Sequence, residues 1–318
     1  MTATLALNVC LKTAFLAFAL MCQDIVALQA SRALPRSQIS MRAHRVEGTA
    51  FITGASSGIG RATALALASS GCKNIVIAAR RTERLESLKE ELLREHMGTD
   101  LAVHAVLLDV TDLAAVARLP SELPPAFQDV TLLLNNAGLA SGFGGVSSFD
   151  MQDMEVMIDT NVKGLGACCR AFLPGMLARK KGHIINISSI AGKASYPGGA
   201  FYCASKFAVE AITAAMRAEV VATPIRVTTV SPGWVNEGTE FSKVRFGGDE
   251  ERARALYDGI EALSADDVAD AVVYAATRPP HVQVADIFLL PTCQAHPFEG
   301  GMHRVAELTS GLQPKARL

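Results

Sequence analysis

The stretch from Thr49 to Ser70 constrains the fold more than any other part of the sequence. Apolar residues 49–53 predict a short strand, and residues 61–70, rich in Ala and Leu, predict a helix that Gly71 can end. Between the two lies the segment Thr53-Gly54-Ala55-Ser56-Ser57-Gly58-Ile59-Gly60. A glycine-rich turn between a strand and a helix permits a tight bend and directs the helix N-terminus at a bound phosphate. The chain is therefore expected to contain a phosphate-binding strand–turn–helix unit.

The rest of the chain repeats the alternation of strand and helix. Further strands are predicted at 74–79, 101–110, 130–135, 183–188, 225–231 and 286–290, and helical regions at 82–93, 151–179 and 202–221. Thr82 is expected to cap the helix that follows the second strand. Such alternation is typical of an α/β fold with a doubly wound parallel sheet of the Rossmann type. Since no linker or repeat divides residues 46–295, we predict a single domain there.

The composition excludes several other classes of protein. Half of the 318 residues are hydrophobic, which argues against a disordered chain, and the net charge of −1 gives no electrostatic reason to bind nucleic acid. The seven cysteines show no metal-type spacing. We therefore expect reduced, buried thiols and no metal site.

The two ends of the chain differ from the middle. Residues 1–45 hold five basic residues and one acidic residue, and their apolar run, 13–22, is too short to span a bilayer. With the basic, Ser/Arg-containing stretch 31–37, the order resembles a plastid-type targeting segment, and a disordered extension is the alternative. The tail 296–318 ends in Ala316-Arg317-Leu318, which resembles a peroxisomal signal. The two signals conflict, so the location stays open. The organelle addressed by the plastid-type N-terminal segment is favoured, and the peroxisome and the cytoplasm are the alternatives.

The end of the second predicted strand indicates which dinucleotide the glycine turn would bind. NAD sites usually place an acid there to hold the ribose 2′-hydroxyl, whereas this chain reads Ala78-Ala79-Arg80-Arg81. Guanidinium groups match a 2′-phosphate in charge and in geometry. The sequence therefore favours NADP, with Arg80 preferred over Arg81 and with Ser56 adding a hydroxyl contact. The alternative is that both arginines are only solvated.

Tyr202 and Lys206 stand four residues apart on a predicted helix and so project from the same face. There the ammonium can favour the phenolate and make the tyrosine a useful base. Oxidation of an alcohol needs such a base for the hydroxyl proton and a hydride acceptor. A hydroxyl thirteen residues upstream, at Ser189, can donate a hydrogen bond to the substrate oxygen.

Several motifs in this order resemble the short-chain dehydrogenase/reductase family over about residues 46–295. The matching pieces are TGASSGIG at 53–60, Asp109-Val110, Asn135-Asn136-Ala137-Gly138, Asn161, Ser189, Tyr202 with Lys206, and Ser231-Pro232-Gly233. The resemblance selects Ser189 over Ser188 and implies a catalytic tetrad of Asn161, Ser189, Tyr202 and Lys206. It also implies that Lys206 holds the nicotinamide ribose, that Asn161 supports a water chain, and that Asp109 lies near the adenine.

The same resemblance implies a set of cofactor contacts along the chain. These are Gly54, Ser56, Ser57, Gly58, Ile59, Gly60, Arg80, Arg81, Asp109, Val110, Asn136, Ala137, Gly138, Tyr202, Lys206, Pro232, Gly233, Val235 and Thr239. The family is commonly tetrameric, so a homotetramer or homodimer is expected.

The segment 234–246, with residues 265–269 and 290–295, resembles the NADP-dependent 3-hydroxy acid dehydrogenases, which act on serine, allo-threonine and 3-hydroxyisobutyrate. Such substrates carry a carboxylate, which Arg245 could bind in a bidentate way beside Ser189 and Tyr202. Two alternatives remain open. One is a membrane-associated carbonyl, steroid or retinoid reductase of the same family, and the other is a binding protein without catalysis.

Overall fold

A parallel sheet of seven strands forms the centre of the protein in the computed structural model, which describes residues 44–296. Counted along the described residues, the strands of this sheet and of a separate two-stranded pair are β1 (Thr49–Thr53), β2 (Asn74–Ala79), β3 (Ala102–Leu107), β4 (Val130–Asn135), β5 (Gly182–Ile187), β6 (Ile225–Pro232), β7 (Val235–Glu237), β8 (Leu263–Ser264) and β9 (Asp286–Leu289). Their order in the sheet is β3-β2-β1-β4-β5-β6-β9, while β7 and β8 pair separately. The predicted doubly wound parallel sheet is confirmed.

Helices cover both faces of this sheet. They are α1 (Gly58–Ser69), α2 (Thr82–Glu95), α3 (Leu113–Glu122), α4 (Met151–Ile158), α5 (Leu165–Arg179), α6 (Ala200–Glu219), α7 (Phe241–Arg245), α8 (Glu250–Ala255) and α9 (Ala265–Ala276). Apolar side chains of α1, α2 and α9 pack on one face, and those of α3, α5 and α6 on the other. Because both faces are covered, the central strands β1 and β4 are buried along their whole length.

The sequence located most elements but misjudged several ends. Helix α1 begins three residues before the predicted start, because the last glycines of the turn already form its first turn. The prediction that Thr82 caps α2 is wrong: Thr82 is the first helical residue, and no side chain caps this helix. The helical region 151–179 is confirmed, with a π-helical turn at Asp159–Gly164 between α4 and α5. Helices α3 and α9 and the short helices α7 and α8 were not predicted.

Much of the chain's two ends lies outside the described residues. The predicted targeting segment 1–45 is described only at positions 44 and 45, and the predicted tail 296–318 only at its first residue. The expectations about these segments stay predictions. Among the helices between residues 44 and 296, none is long and apolar enough to cross a bilayer.

Hydrogen bonds join the ends of β1 and β4, where the strand order reverses. The Thr53 hydroxyl accepts from the backbone N–H groups of Asn136 and Ala137, both at 3.0 Å. The Asn136 amide in turn donates to the carbonyls of Thr53 and Gly54, at 3.0 and 3.2 Å. The glycine turn is thereby fixed to the neighbouring strand at the switch point, where ligands bind in doubly wound sheets.

Gly60→Ala should damage this arrangement. A Cβ at Gly60 would lie 2.5 Å from both the Gly54 carbonyl oxygen and the Asn136 amide nitrogen, and the first of these is a backbone atom that a side-chain rotation cannot move. We expect a loss of about 1–3 kcal/mol in the free energy of unfolding, which urea denaturation can measure. Gly166→Ala is the matched control, because a Cβ in that helix meets nothing within 4 Å and alanine favours the helix. Equal stability of the two variants would contradict the packing argument.

Candidate active site

One cavity of about 700 Å³ opens along the carboxyl ends of the parallel strands. The residues that follow β1, β2, β3, β4, β5 and β6 all contribute to its wall, as expected for a doubly wound sheet. Of the cofactor contacts implied by the sequence, all except Gly60 line this cavity, and so do Ser189, Tyr202, Lys206 and Arg245. Gly60 packs behind the turn, and Asn161 lies behind the wall.

The glycine turn has the conformation that a phosphate cradle needs. Gly54 and Gly58 adopt positive φ angles of 67° and 57°, which residues other than glycine rarely adopt. A Cβ at Gly54 would also lie 2.9 Å from the Cα of Ala137. Helix α1 starts at Gly58, so its free N–H groups and positive dipole end meet the cavity. The residues present fit a pyrophosphate.

The two arginines after β2 have different surroundings. The Arg81 guanidinium donates to the hydroxyls of Ser56 and Ser57, with Nη2 at 3.0 and 2.8 Å respectively. Its Nη1 also donates to Glu240, at 2.7 Å. Arg80 is more exposed and lies 3.9 Å from the carboxylate of Asp109. Arg81 is therefore the arginine that the structure ties to the glycine turn.

Tyr202 and Lys206 project from α6 into the cavity beside Ser189, which follows β5. All three side chains are buried. Lys206 Nζ donates to the carbonyl of Ile187 at 2.9 Å and lies 5.9 Å from the centre of the Tyr202 ring. The Ser189 hydroxyl hydrogen-bonds Tyr202. Two hydroxyls and one ammonium thus converge at one point of the cavity.

Asn161 lies in the π-helical turn and does not face the cavity directly. Its amide nitrogen donates to the Leu139 carbonyl at 2.8 Å and to the Ser205 hydroxyl at 3.0 Å, and its oxygen accepts from the Leu139 N–H at 2.9 Å. The side chain ties the loop after β4 to helix α6. The structure thus gives Asn161 a positioning role next to Lys206.

Burial changes the acidity of both partners on α6. Removal from water raises the pKa of Tyr202 above its usual 10, and its hydrogen bond with Ser189 and the nearby Arg245 cation lower it only in part. The expected lowering by Lys206 is not seen in this arrangement. Burial also lowers the pKa of Lys206 to about 8. A neutral Tyr202 is suited to donate a proton to a carbonyl oxygen, which is the role required in reduction.

Helix α7 and its flanking loops form a lid over the cavity. The Phe241 ring packs on the ring of Tyr202, with centroids 5.5 Å apart. At the other end of α7, the Arg245 guanidinium lies between the rings of Phe143 and Tyr196, at 4.9 and 5.4 Å. The lid therefore adds an aromatic contact to the tyrosine and a cation to the wall.

The Arg245 guanidinium is incompletely paired. Tyr196 hydrogen-bonds it, but Nε and Nη2 are buried and have no hydrogen-bond partner among the described residues. Buried N–H donors without an acceptor are costly, and a charged group more so. The described residues therefore leave two donors of this cation without an acceptor.

Sequence reasoning missed the aromatic side chains that enclose Arg245. Phe143 and Tyr196 lie far apart in the chain, and neither belongs to a motif. A signal was present in Gly198-Gly199: a Cβ at Gly198 would lie 2.7 Å from the Phe143 ring, and one at Gly199 would lie 2.2 Å from the Tyr196 ring. A glycine pair in that position marks a close approach of large side chains.

The family follows from comparison with known proteins. A sequence profile described as "short chain dehydrogenase" matches residues 48–247. This chain belongs to the short-chain dehydrogenase family. The motifs of the family include the glycine turn and the tyrosine–lysine pair whose geometry is described above.

Similar members of the short-chain dehydrogenase family carry more specific names. An NADP-dependent 3-hydroxy acid dehydrogenase of Schizosaccharomyces pombe is 41% identical over 251 residues, which are 79% of this chain and 95% of that protein. A sulfoacetaldehyde reductase of Chromohalobacter salexigens is 44% identical over 77% of this chain and 94% of its own length. The closed form of a serine dehydrogenase complexed with NADP+ superimposes with a TM-score of 0.73, at 38% identity, over 80% of this chain and 99% of that one.

Lys206→Met should stabilise the ligand-free enzyme near neutral pH. With its pKa lowered from 10.5 to about 8, Lys206 binds fewer protons in the native state than in the unfolded state between these values. Stability from this group therefore rises with pH across that window, and below it the buried charge is a cost. We expect the variant to gain about 1–3 kcal/mol in free energy of unfolding at pH 7, an advantage that shrinks from pH 8 to 10.

Lys193→Met is the matched control. Lys193 is paired with Glu210 at 2.9 Å and Asp286 at 2.6 Å, and these partners raise its pKa against the opposing effect of burial. Its loss should destabilise the protein at pH 7. Urea denaturation at several pH values measures both effects, and a destabilised Lys206→Met without altered pH dependence would contradict the argument.

Proposed function

We propose that this protein is an NADP-dependent oxidoreductase that transfers a hydride between the nicotinamide and a small 3-hydroxy acid. The observation that carries the proposal is Arg245, which lines the cavity that holds Tyr202 and whose Nε and Nη2 are buried without a partner among the described residues. The Schizosaccharomyces pombe relative is named for 3-hydroxy acids and the solved relative for serine, and both kinds of substrate carry a carboxylate.

Tyr202, Ser189 and Lys206 would divide the proton chemistry between them. The bound nicotinamide supplies the hydride acceptor in oxidation and the hydride donor in reduction. Tyr202 exchanges a proton with the substrate oxygen through its phenolic oxygen, and Ser189 donates a hydrogen bond to the same atom. Lys206 brings a positive charge close to the reacting oxygens, and Asn161 holds the segment around it in place.

The chemistry of the anion site favours a small charged substrate over a steroid or retinoid. An apolar ligand would leave Nε and Nη2 of Arg245 without acceptors, at a cost of about 1–3 kcal/mol or more. A carboxylate can accept both donors at once, since a guanidinium presents them in a planar fork. A sulfonate has the same capability, consistent with the name of the Chromohalobacter salexigens relative. The membrane-associated reductase gains no support from the described residues.

NADP is the cofactor that the surroundings of β2 favour. The region carries Arg80, Arg81 and Arg84, and the Ser56 and Ser57 hydroxyls converge on Arg81. A 2′-phosphate placed there would meet cations and hydroxyl donors. The contacts of Arg81 favour it as the main partner, whereas the sequence favoured Arg80. The relatives named for NADP, and the serine dehydrogenase solved with NADP+, support the same choice.

Arg245→Leu tests the substrate class. Loss of an arginine–carboxylate pair worth roughly 1.5–3 kcal/mol should lower kcat/KM for serine and 3-hydroxyisobutyrate about tenfold to a hundredfold. An uncharged alcohol of similar size should be affected much less. Steady-state kinetics on both substrate types, with isethionate added as a sulfonate, measure the difference.

Lys243→Leu is the matched control, because it removes an exposed cation from the same helix that pairs with Glu250. It should leave the preference for acids intact. Equal losses for charged and uncharged substrates in Arg245→Leu would mean that Arg245 only shapes the lid. A wild-type enzyme without a preference for acids would overturn the proposed substrate class.

A comparison of Arg81→Ala with Arg80→Ala tests the cofactor site. Arg81→Ala should weaken binding of NADPH about tenfold to a hundredfold relative to NADH, since a charge-assisted hydrogen bond is lost. Arg80→Ala, the same change on the neighbouring and more exposed residue, should have a smaller effect. Quenching or enhancement of cofactor fluorescence gives both dissociation constants. A larger loss in Arg80→Ala would restore the order that the sequence favoured.

Assembly and location remain proposals from the sequence. A homotetramer or homodimer follows from family resemblance, and sedimentation of the purified protein would test it. Delivery to an organelle by residues 1–45 rests on a segment that lies almost wholly outside the described residues. Imaging of a fluorescent fusion with and without that segment would decide it.

A further inference from the structure

Glu240 joins two parts of the site that the reaction itself does not connect. It stands immediately before helix α7, at the start of the lid. Its Oε2 accepts from Arg81 Nη1 at 2.7 Å and from Arg84 Nη1 at 2.9 Å. These two guanidiniums hold the pKa of Glu240 at about 2, so the carboxylate stays charged at physiological pH. A lid residue is thus bound to the first part of α2.

The lid carries the substrate-binding groups on the short helix that follows Glu240. Phe241, the next residue, packs on the ring of Tyr202. Arg245 lies four residues after Phe241, and its carbonyl accepts from the Gly142 N–H at 3.1 Å. Helix α7 is therefore held at its end by a backbone hydrogen bond and at its start by two ion pairs. Because α7 spans only five residues, a displacement of Glu240 is expected to change the position of Arg245.

Arg81 is itself fixed on its opposite side. Its Nε and Nη2 bind the hydroxyls of Ser56 and Ser57 in the glycine turn, so that Nη1 is the group that faces the lid. Arg84 supplies an independent link to Glu240 from the next turn of α2. Since two cations share one carboxylate, positive charge remains for a cofactor phosphate even while the lid is attached.

We propose that Glu240 is a positioning residue that fastens the substrate lid to Arg81 and Arg84, so that recognition of the substrate anion by Arg245 depends on these ion pairs. The inference rests on the proposed function of Arg245 and extends it to a residue that touches neither the substrate nor the reacting atoms. The position of the lid then depends in part on Arg81, the arginine that is also proposed to bind the cofactor phosphate.

A double-mutant cycle of Glu240→Gln and Arg84→Met tests the link. Arg84 is chosen because Arg81 also belongs to the cofactor site. Glu250→Gln is the matched control, since it removes a carboxylate at the start of α8 that pairs with Lys243 of the lid. Three quantities are measured on the full-length enzyme: KM for serine or 3-hydroxyisobutyrate, the dissociation constant of NADPH, and the rate at which chymotrypsin cuts after Phe246 in the NADPH complex.

Each single variant should raise KM for the acid about two- to tenfold, which is about 0.4–1.4 kcal/mol at 1.4 kcal/mol per tenfold. The double variant should be no worse than Glu240→Gln alone, because Arg84→Met removes an ion pair that Glu240→Gln has already removed. Cleavage after Phe246 should accelerate by a similar factor, and Glu250→Gln should match the wild type in KM. NADPH affinity should change much less than KM.

Three outcomes would overturn the proposal. Unchanged KM and unchanged cleavage in Glu240→Gln would show that the ion pairs do not hold the lid. Tighter NADPH binding with unchanged KM would show that Glu240 acts by repelling the cofactor phosphate. Additive effects in the double variant would show that the two residues act separately. Cleavage requires no substrate, so it tests the link even where the wild type shows no preference for acids.

Discussion

The pair of hydrogen-bonding residues Thr53 and Asn136 determines where the site can form. Strand order reverses between β1 and β4, and this reversal opens the crevice at the carboxyl edge of the sheet. Across that opening, the Thr53 hydroxyl accepts from the backbone N–H groups of Asn136 and Ala137, and the Asn136 side-chain amide donates to the Thr53 carbonyl. The end of β1 leads into the glycine turn and the start of α1. The end of β4 leads into the loop whose Gly142 contacts Arg245 of the lid. A shift there would displace the phosphate cradle and the opposite wall together.

Two cations with buried nitrogen atoms, Lys206 and Arg245, dominate the electrostatics of the site. Lys206 has a backbone carbonyl as its partner, and Arg245 has a tyrosine hydroxyl and two aromatic rings. Neither is paired with a carboxylate among the contacts described here, in contrast to Lys193, which lies between Glu210 and Asp286. Such an arrangement costs stability in the free enzyme and gives anions formed or bound in the cavity a strong positive field. Under the proposed function, the stability lost at these positions is the consequence of holding cations where an anion binds or forms.

The sequence predicted the parts of the site that depend on local pattern. The glycine turn, the two arginines after β2 and the tyrosine–lysine spacing each carry their chemistry within a few residues. Fold class followed from the same kind of pattern, because strands buried on both faces read as short apolar runs. The sequence could not predict that the pKa of Tyr202 is raised, because the shift depends on how far the folded protein excludes water from its hydroxyl. Nor could it predict that Phe143 and Tyr196 enclose Arg245, since such contacts between distant segments leave no periodic signal.

Helix α7 shows how a short element can carry function without contributing to the core. It spans only residues 241–245, far too few to be stable alone, so its position must come from contacts at its ends. Those contacts are the Glu240 ion pairs, the Phe241–Tyr202 ring contact and the backbone bond from Gly142 to Arg245. Each is modest, since partly exposed ion pairs and single hydrogen bonds contribute about 1 kcal/mol or less. Contacts of that size allow a lid to open on the timescale of turnover. Under the proposed function, a substrate anion paired with Arg245 would add one more contact to the closed lid. Substrate binding and lid closure would then be one equilibrium, with the unpaired donors of Arg245 as the source of the difference in affinity between the open and closed states.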